Sequence, residues 1–416
     1  MPKVILHCDL NCFFASVEML YHPEYRNVPM AIAGDPENRH GIILTKNVPA
    51  KKMGVKTAET IMEAKKKCPN LIIRQPDYDS YMYFSRKVKD LYYEYTDRIE
   101  SFGIDEAWLD ISESIKYFGS IKFIVEDILR RVKEEIGLTL SIGVSNNKIW
   151  AKLGSDIAKE DSYFVISKLE DVENCDAGDL LNCGSKTAER LKSYGIYTIG
   201  DIAKSSAKYM KGILGKFGET LWYFANGYDL SEVRLYKQGE DVIKSIGNST
   251  TTIRDIYDLD DLKLILTILA DSVSSRVKDA GMFYKTIHLY VRNKKLEWRS
   301  MQMTLKENSD LAKDIFESAL KLFEKNELDF KIPYRSIGVS VSNLSFRKEA
   351  SEIDIYGNAR YSLKEKNKDL ALEDIRRRFG YHSISTLRVL EDTELSNFDP
   401  KSEHLTFPVS YFGTRL

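Results

Sequence analysis

Three carboxylates stand out by type and setting. Asp9 closes a short apolar run, Lys3 to Cys8, while Asp105 and Glu106 sit between two further short runs, Ile99 to Phe102 and Ala107 to Ile111. Hard divalent cations such as Mg²⁺ take carboxylate oxygen and usually keep substrate phosphates as further ligands. Two such ions about 3.5–4 Å apart can stabilise both the attacking and the leaving oxygen of a phosphoryl transfer. The residues alone leave two readings: one cation site, or separate acids at solvated strand ends. His7, Cys8 and Cys12 lie close by, but Cys-x₃-Cys without a second pair is a poor zinc site and reads as core thiols.

The elements that carry the acids decide between those readings. Lys3 to Cys8 reads as a strand, and Asn11 as the cap of a helix through Leu20. An insertion to about Gln75 holds short strands and two Lys-rich helices. A long aromatic helix covers Asp77 to Arg98, strands cover 99–102 and 107–111, a helix covers 119–136, and a strand covers 138–144. Without the insertion the order is β-α-β-β-α-β, the ferredoxin-like pattern. Its first and third strands are antiparallel neighbours, so the end of the first lies beside the start of the third. That topology brings Asp9 to Asp105 and Glu106. Adjacent strand residues face opposite sides, so a bend must turn Asp105 and Glu106 to one site.

A second βαββαβ pattern follows: a strand at 242–252, a helix at 259–280, a hairpin of 283–291 and 296–305, a helix at 310–325 and a strand at 334–344. Only Glu297 lies near the equivalent corner, so this unit reads as one that binds rather than catalyses. Residues 171–235 look like short helices with glycine turns, and 346–416 like a polar tail with one helix near Leu370 to Phe379.

The bulk properties set limits. The 416 residues suggest roughly three domains of about 150 each. Hydrophobic residues at 43% and aromatics at 11% can fill several cores, which excludes a disordered chain. No apolar run approaches the roughly 18 residues of a membrane span. Asp9 interrupts the first apolar stretch and no small-residue cleavage site follows, which argues against a signal peptide. Five cysteines are too few for a disulfide framework, so reduced thiols in a cytoplasmic protein are expected. The formal charge of −1 gives no bulk attraction for nucleic acid, so such a partner must rest on local patches.

The local patches are present. Asn182-Cys183-Gly184, with Lys186, and Gly215-Lys216-Phe217-Gly218 look like helix-hairpin-helix turns. Backbone N–H groups at such helix starts hold phosphate without reading sequence. Asn182 stands where glycine is usual, and asparagine tolerates the left-handed geometry. Lys285, Arg292, Lys294, Lys295 and Arg299 cluster on the second hairpin beside Tyr284, Tyr290 and Trp298, as a phosphate-tracking surface or a solvated face.

Asp9-Leu10-Asn11-Cys12-Phe13-Phe14, then Thr45, then Ile104-Asp105-Glu106-Ala107, resemble the motifs of Y-family translesion DNA polymerases, with the bacterial polymerase IV branch closest. Ser145-Asn146-Asn147-Lys148-Ile149-Trp150-Ala151-Lys152, followed by Lys159, is a further match; the resemblance runs in order over roughly residues 1–345. It implies an α+β, multidomain right-hand polymerase. A ferredoxin-like palm would span 1–170 with small fingers inserted at about 20–77. A helical thumb at 171–235, a linker at 236–243 and a βαββαβ little finger at 244–345 would follow, before the tail.

The resemblance also implies roles. Asp9, Asp105 and Glu106 would be catalytic and, with the Leu10 carbonyl, would ligate two Mg²⁺ ions. Phe14 would be the steric gate against ribonucleotides, and Phe13, Thr45, Lys51 and Lys159 would hold the nucleotide. Ile42 and Leu44 would roof the nascent base pair. Val48 and Lys51 stand where the family usually has Tyr and Arg, and lysine lacks the planar fork of arginine. Glu160 replaces a common proline. Gly184, Lys186, Gly215, Lys216, Gly218, Arg292, Lys294, Lys295 and Arg299 would contact DNA. Glu352-Ile353-Asp354-Ile355-Tyr356 resembles a peptide that docks on the sliding clamp; an ordinary strand or linker is the alternative. The implied function is low-fidelity, DNA-templated translesion synthesis without proofreading. The partners would be primer-template DNA, deoxynucleoside triphosphates and the clamp, in a monomer. A nucleotidyl cyclase-like palm enzyme and a non-catalytic DNA-binding protein of the same fold are the alternatives.

Overall fold

The computed structural model describes residues 3–34, 41–236, 243–347, 358–398 and 400. They form two compact units, divided at the segment before Val242.

In the first unit, β1 (Ile5–Leu10) is buried along its length except at Asp9. The next helix, α1 (Phe13–Tyr21), does not use Asn11 as its cap. Asn11 is drawn to the neighbouring strand, where its N–H meets the Thr139 carbonyl at 2.9 Å and its side chain accepts from Ser141 at 2.9 Å. Cys12 takes the cap position instead at φ 49°, with no side-chain bond to the helix.

The insertion folds as a small sheet, in the order β3-β2-β4, of β2 (Met30–Ala33), β3 (Ile43–Lys46) and β4 (Ile72–Arg74). Two helices accompany it, α2 (Val48–Lys52) and α3 (Ile61–Lys67). Asn47 ties the sheet together. It is wholly buried, accepts from Ala50 and Met30 N–H groups, and donates to the Tyr25 and Val28 carbonyls.

After α4 (Tyr78–Tyr93), capped by Asp77, come β5 (Ile99–Phe102), β6 (Glu106–Asp110), α5 (Ile115–Phe118) and α6 (Ile121–Arg131). Then follow β7 (Leu140–Ser145), α7 (Lys148–Ile157) and β8 (Ser162–Val165). The strand order β5-β6-β1-β7-β8 is the ferredoxin-like one with an added parallel strand beyond β7. α7 crosses this sheet so closely that a Cβ on Gly143 would lie 1.8 Å from the Ala151 carbonyl.

The helical region consists of α8 (Ser185–Lys192), α9 (Ile199–Lys204), α10 (Ala207–Leu214) and α11 (Lys216–Ala225), packed on one apolar cluster with Trp150 and Leu153 of α7.

The second unit runs β9 (Ser245–Ile256), α12 (Leu259–Asp279), β10 (Tyr284–Asn293), β11 (Trp298–Ser309), α13 (Ala312–Lys325) and β12 (Tyr334–Ser342). The element order repeats that of the first sheet, but the pairing does not. Its strands lie in the order β11-β10-β12-β9, so the first strand is at an edge beside the fourth. The corner that joins β1 to β6 in the first sheet therefore has no counterpart, and Glu297 occupies no equivalent of it. Ile287, Leu289, Val291, Ile337, Val339 and Val341 face α12 and α13.

The last helices, α14 (Asn358–Phe379) and α15 (Leu387–Leu390), belong to this unit. α14 begins well before the expected Leu370. Lys278 meets Asp369 at 3.2 Å and Arg376 meets Asp271 at 3.0 Å, which holds α14 against α12. Val389 and Leu395 complete the apolar core, so residues 358–398 are not simply a polar tail. Among the described residues no helix is long and apolar enough to cross a membrane.

Candidate active site

Backbone pairing places the acids. The register of β1 on β6 sets Asp9 directly opposite Glu106, and on its other side Asp9 faces Ser141 of β7. Asp105 precedes β6, in a turn whose Gly103 has φ 83°. That turn supplies the bend that frees Asp105 from strand alternation. The Leu10 N–H donates to the Asp105 carbonyl at 3.2 Å and fixes the turn to the end of β1. The Leu10 side chain is buried, so only its carbonyl could serve as a ligand.

Burial and repulsion raise two of the three carboxyls. Asp9 is pushed up to about 7, first by burial and then by Glu106, against the pull of Lys152. Asp105 is pushed up to about 6 by burial and by Glu106. Burial also raises Glu106, but His7 and Lys152 outweigh it and hold the group below its ordinary value. The Lys152 ammonium lies 3.3 Å from Asp9 Oδ2 and 3.0 Å from Glu106 Oε2. His7 is wholly buried, with Nδ1 2.8 Å from Ser155 Oγ and Nε2 3.2 Å from Glu106 Oε2.

This set fits a hard cation. The donors at the sheet edge are oxygens, two stand in direct register, and the Lys152 ammonium already lies within ion-pair distance of both. Among the described residues no three acidic, imidazole or thiol groups come together as a ready-made metal-ion site. The five cysteines are free thiols, and burial pushes Cys8 up to about 12, which supports the core-thiol reading.

Around the start of α1, Phe14 stacks flat on Tyr81 with centroids 4.3 Å apart and planes 8° from parallel. The Tyr81 hydroxyl donates to buried Glu18 at 3.0 Å. Phe13 departs from expectation. The residue is 2% exposed and packs in the apolar core of the first sheet, so its ring is not presented to solvent. It is the first residue of α1, whose start has no side-chain cap.

Thr45 lies on β3 opposite Ile32, half-buried, and Lys51 is exposed on α2. Burial raises the Cys12 thiol, and Glu160, Lys51, Lys46 and Asp9 all act on it, so these charges surround the α1 start. Lys159 is exposed beyond α7, and its carbonyl accepts from Ser141, the neighbour of Asp9. Leu44 packs against the small cluster that includes Phe14, while Ile42 is exposed. Lys46, Lys152, His7 and Tyr81 were given no role by the sequence.

The expected DNA contacts divide. Gly184 starts α8 with no side-chain cap, Lys186 is exposed in its first turn, and Asn182 does adopt the left-handed form at φ 68°. Gly215, at φ 67°, ends α10 and starts α11, and Lys216 follows it exposed. Gly218 is different. It is buried where α10 and α11 meet, and a Cβ there would lie 2.1 Å from the Met210 carbonyl, so close helix packing demands it.

In the second unit the basic residues do not share one face. Arg292 stacks over Trp298 at 5.2 Å on the helix-free side of the sheet. Arg299 pairs with Val291 and so belongs to the other side. Lys294 lies 3.5 Å from Asp255, and Lys295 is exposed in the turn. The helix-free side carries Ser249, Thr251, Ser336, Gly338 and Ser340 beside Tyr290, a surface of small and hydroxyl groups. Glu352, Ile353, Asp354, Ile355 and Tyr356 lie outside the described residues.

Comparison with known proteins identifies the family. Residues 8–156 match the impB/mucB/samB family and residues 243–355 match that family's C-terminal domain. DNA polymerase IV of Acetivibrio thermocellus is 40% identical over 95% of this chain and 100% of its own length. DNA polymerase IV of Clostridium kluyveri is 35% identical over 91% and 96%, and DNA polymerase IV 1 of Bacillus subtilis 31% identical over 99% and 97%. A solved Y-family DNA polymerase chimera has the same fold, with a TM-score of 0.71 at 24% identity over 83% of this chain and 100% of that one. The chain belongs to the impB/mucB/samB family, the Y-family polymerases of the polymerase IV type.

Proposed function

We infer that the chain is a DNA-directed DNA polymerase that performs translesion synthesis. In that reaction a primer 3′-hydroxyl attacks the α-phosphorus of an incoming deoxynucleotide and pyrophosphate leaves. The observation that carries this reading is the direct pairing of Asp9 with Glu106, with Asp105 in the adjoining turn, inside a chain whose two family matches flank a helical region. A cyclase would need neither the helical region nor the second unit, and a purely binding protein would not need three acids at one edge.

Asp9, Asp105, Glu106 and the Leu10 carbonyl would hold two Mg²⁺ ions, which when bound supply positive charge to the reacting oxygens. Lys152 lies between Asp9 and Glu106, and together with His7 it favours the ionised form of Glu106. Lys46, Lys51, Lys159 and Thr45, with the N–H groups of Phe13 and Phe14, hold the triphosphate. The Phe14 ring serves as the gate against a 2′-hydroxyl, a reading supported by its flat stacking on Tyr81, which backs the ring.

The starts of α8 and α11, with Gly184, Lys186, Gly215 and Lys216, take backbone phosphates. Arg292 and the hydroxyl-rich face follow the duplex, with Lys294 and Lys295 in the adjoining turn, while Arg299 on the other side of the sheet takes phosphate beyond that face. Residues 352–356 dock on a sliding clamp, a reading supported by their likeness to the clamp peptide. A cytoplasmic setting accords with the free thiols, and the chain acts there as a monomer. The test is extension of a primed template with Mg²⁺ and four deoxynucleotides, with and without a minor-groove adduct. Extension past the adduct supports the reading, and failure on both templates overturns it.

A further inference from the structure

Asp105 and Glu106 are consecutive, yet both must reach one edge, and a strand would send them to opposite faces. The turn 103–105 resolves this, and the structure shows what fixes it from beneath. Ser85 and Lys89 are one helical turn apart on α4, exposed by only 1% and 2%. The Lys89 ammonium donates to the Gly103 carbonyl at 3.3 Å, the Ile104 carbonyl at 3.2 Å and Ser85 Oγ at 3.2 Å. Ser85 in turn donates to the Ile104 carbonyl. The surrounding face of α4 is apolar, with Tyr81, Met82, Phe84, Val88 and Tyr92 buried. Burial drives the ammonium down to about 7, and the charge that opposes this is that of Asp105. A methionine would fit such a face without that desolvation cost. The lysine is therefore costly for packing alone, and its donors go to the catalytic turn.

We propose that Lys89 is a positioning residue for Asp105: it clamps the Gly103 and Ile104 carbonyls so that Asp105 leaves strand alternation and shares an edge with Glu106. This rests on the polymerase reading for the role of Asp105, but not for the clamp itself. Lys89→Met removes every donor at similar length, and Lys89→Gln keeps donors without charge.

Two measurements test the proposal. Hydrogen exchange over peptides covering 103–106 should speed up about tenfold or more in Lys89→Met, less in Lys89→Gln, while α6 keeps its protection. Single-nucleotide insertion should lose about 100-fold in kcat in Lys89→Met, with KM for nucleotide changed by less than about threefold, and Lys89→Gln should recover part of the loss. Unchanged exchange over the turn overturns the clamp, and so does unchanged kcat in an active enzyme. If Lys89→Met loses protection everywhere, Lys89→Gln decides, because it must show the local loosening alone. An inactive wild type would sink the polymerase reading, and exchange would still decide the clamp.

Discussion

Lys152 changes the meaning of the two paired acids. Its ammonium between Asp9 and Glu106 shows that the edge already draws a positive charge. Nothing in the spacing of Lys152 signals this, because the contact depends on how α7 crosses β1. The titration of the acids offers a test. With Asp9 and Asp105 pushed up to about 7 and about 6, the cation-free folded chain holds protons that the unfolded chain loses near pH 4. More protons in the folded state mean that stability falls as pH rises, here between about pH 4 and pH 7. Burial holds His7 below its ordinary value, which works in the opposite sense. The comparison to make is therefore wild type against Asp105→Asn, by denaturant melts in chelator. The variant should gain more at pH 7 than at pH 5, and an equal gain at both would contradict the assignment. Phe14→Ala should raise ribonucleotide incorporation relative to deoxynucleotide. Relief of a tight contact of about 1–3 kcal/mol corresponds to a factor of roughly 5 to 150. An unchanged ratio would mean that the ring only packs on Tyr81.

At the scale of elements, strands and helices were legible from periodicity, and the ends that moved did so for local reasons. Asn11 failed as a cap because Ser141 and Thr139 compete for it. The glycines of the helical region looked alike in sequence, but the structure separates them. Gly218→Ala puts a methyl against the Met210 backbone and should lower stability by more than about 1–3 kcal/mol in thermal melts, since neither helix can give. Gly184→Ala meets open space at φ −66°, so its melting should not change. If phosphate approaches that helix start, the same variant should bind primer-template several-fold more weakly, as about 1 kcal/mol per lost backbone contact implies. A melting loss at Gly184, or none at Gly218, would reverse the two roles.

Across the whole molecule, element order was readable and strand pairing was not. The two βαββαβ patterns look like copies, yet of the two only the first puts its opening strand beside the third, and that pairing sets Asp9 opposite Glu106. Pairing depends on how long crossovers pack, which no local pattern records. Residues 358–398 hid their role for a related reason, since Val389 and Leu395, which join the core, lie in short apolar stretches within a largely polar sequence. A fragment of residues 243–347 should therefore melt well below one of residues 243–416. Equal melting would show that the last helices add nothing to that core. The central claim is that three acids at one sheet edge carry templated nucleotide transfer. Rapid-quench insertion of one correct deoxynucleotide with Mg²⁺ tests it most directly, alongside Asp105→Ala and a measurement of primer-template affinity for both proteins. The account predicts template-directed insertion by wild type and a loss of about 100-fold or more in Asp105→Ala at nearly unchanged DNA affinity. Insertion by Asp105→Ala at the wild-type rate would contradict it.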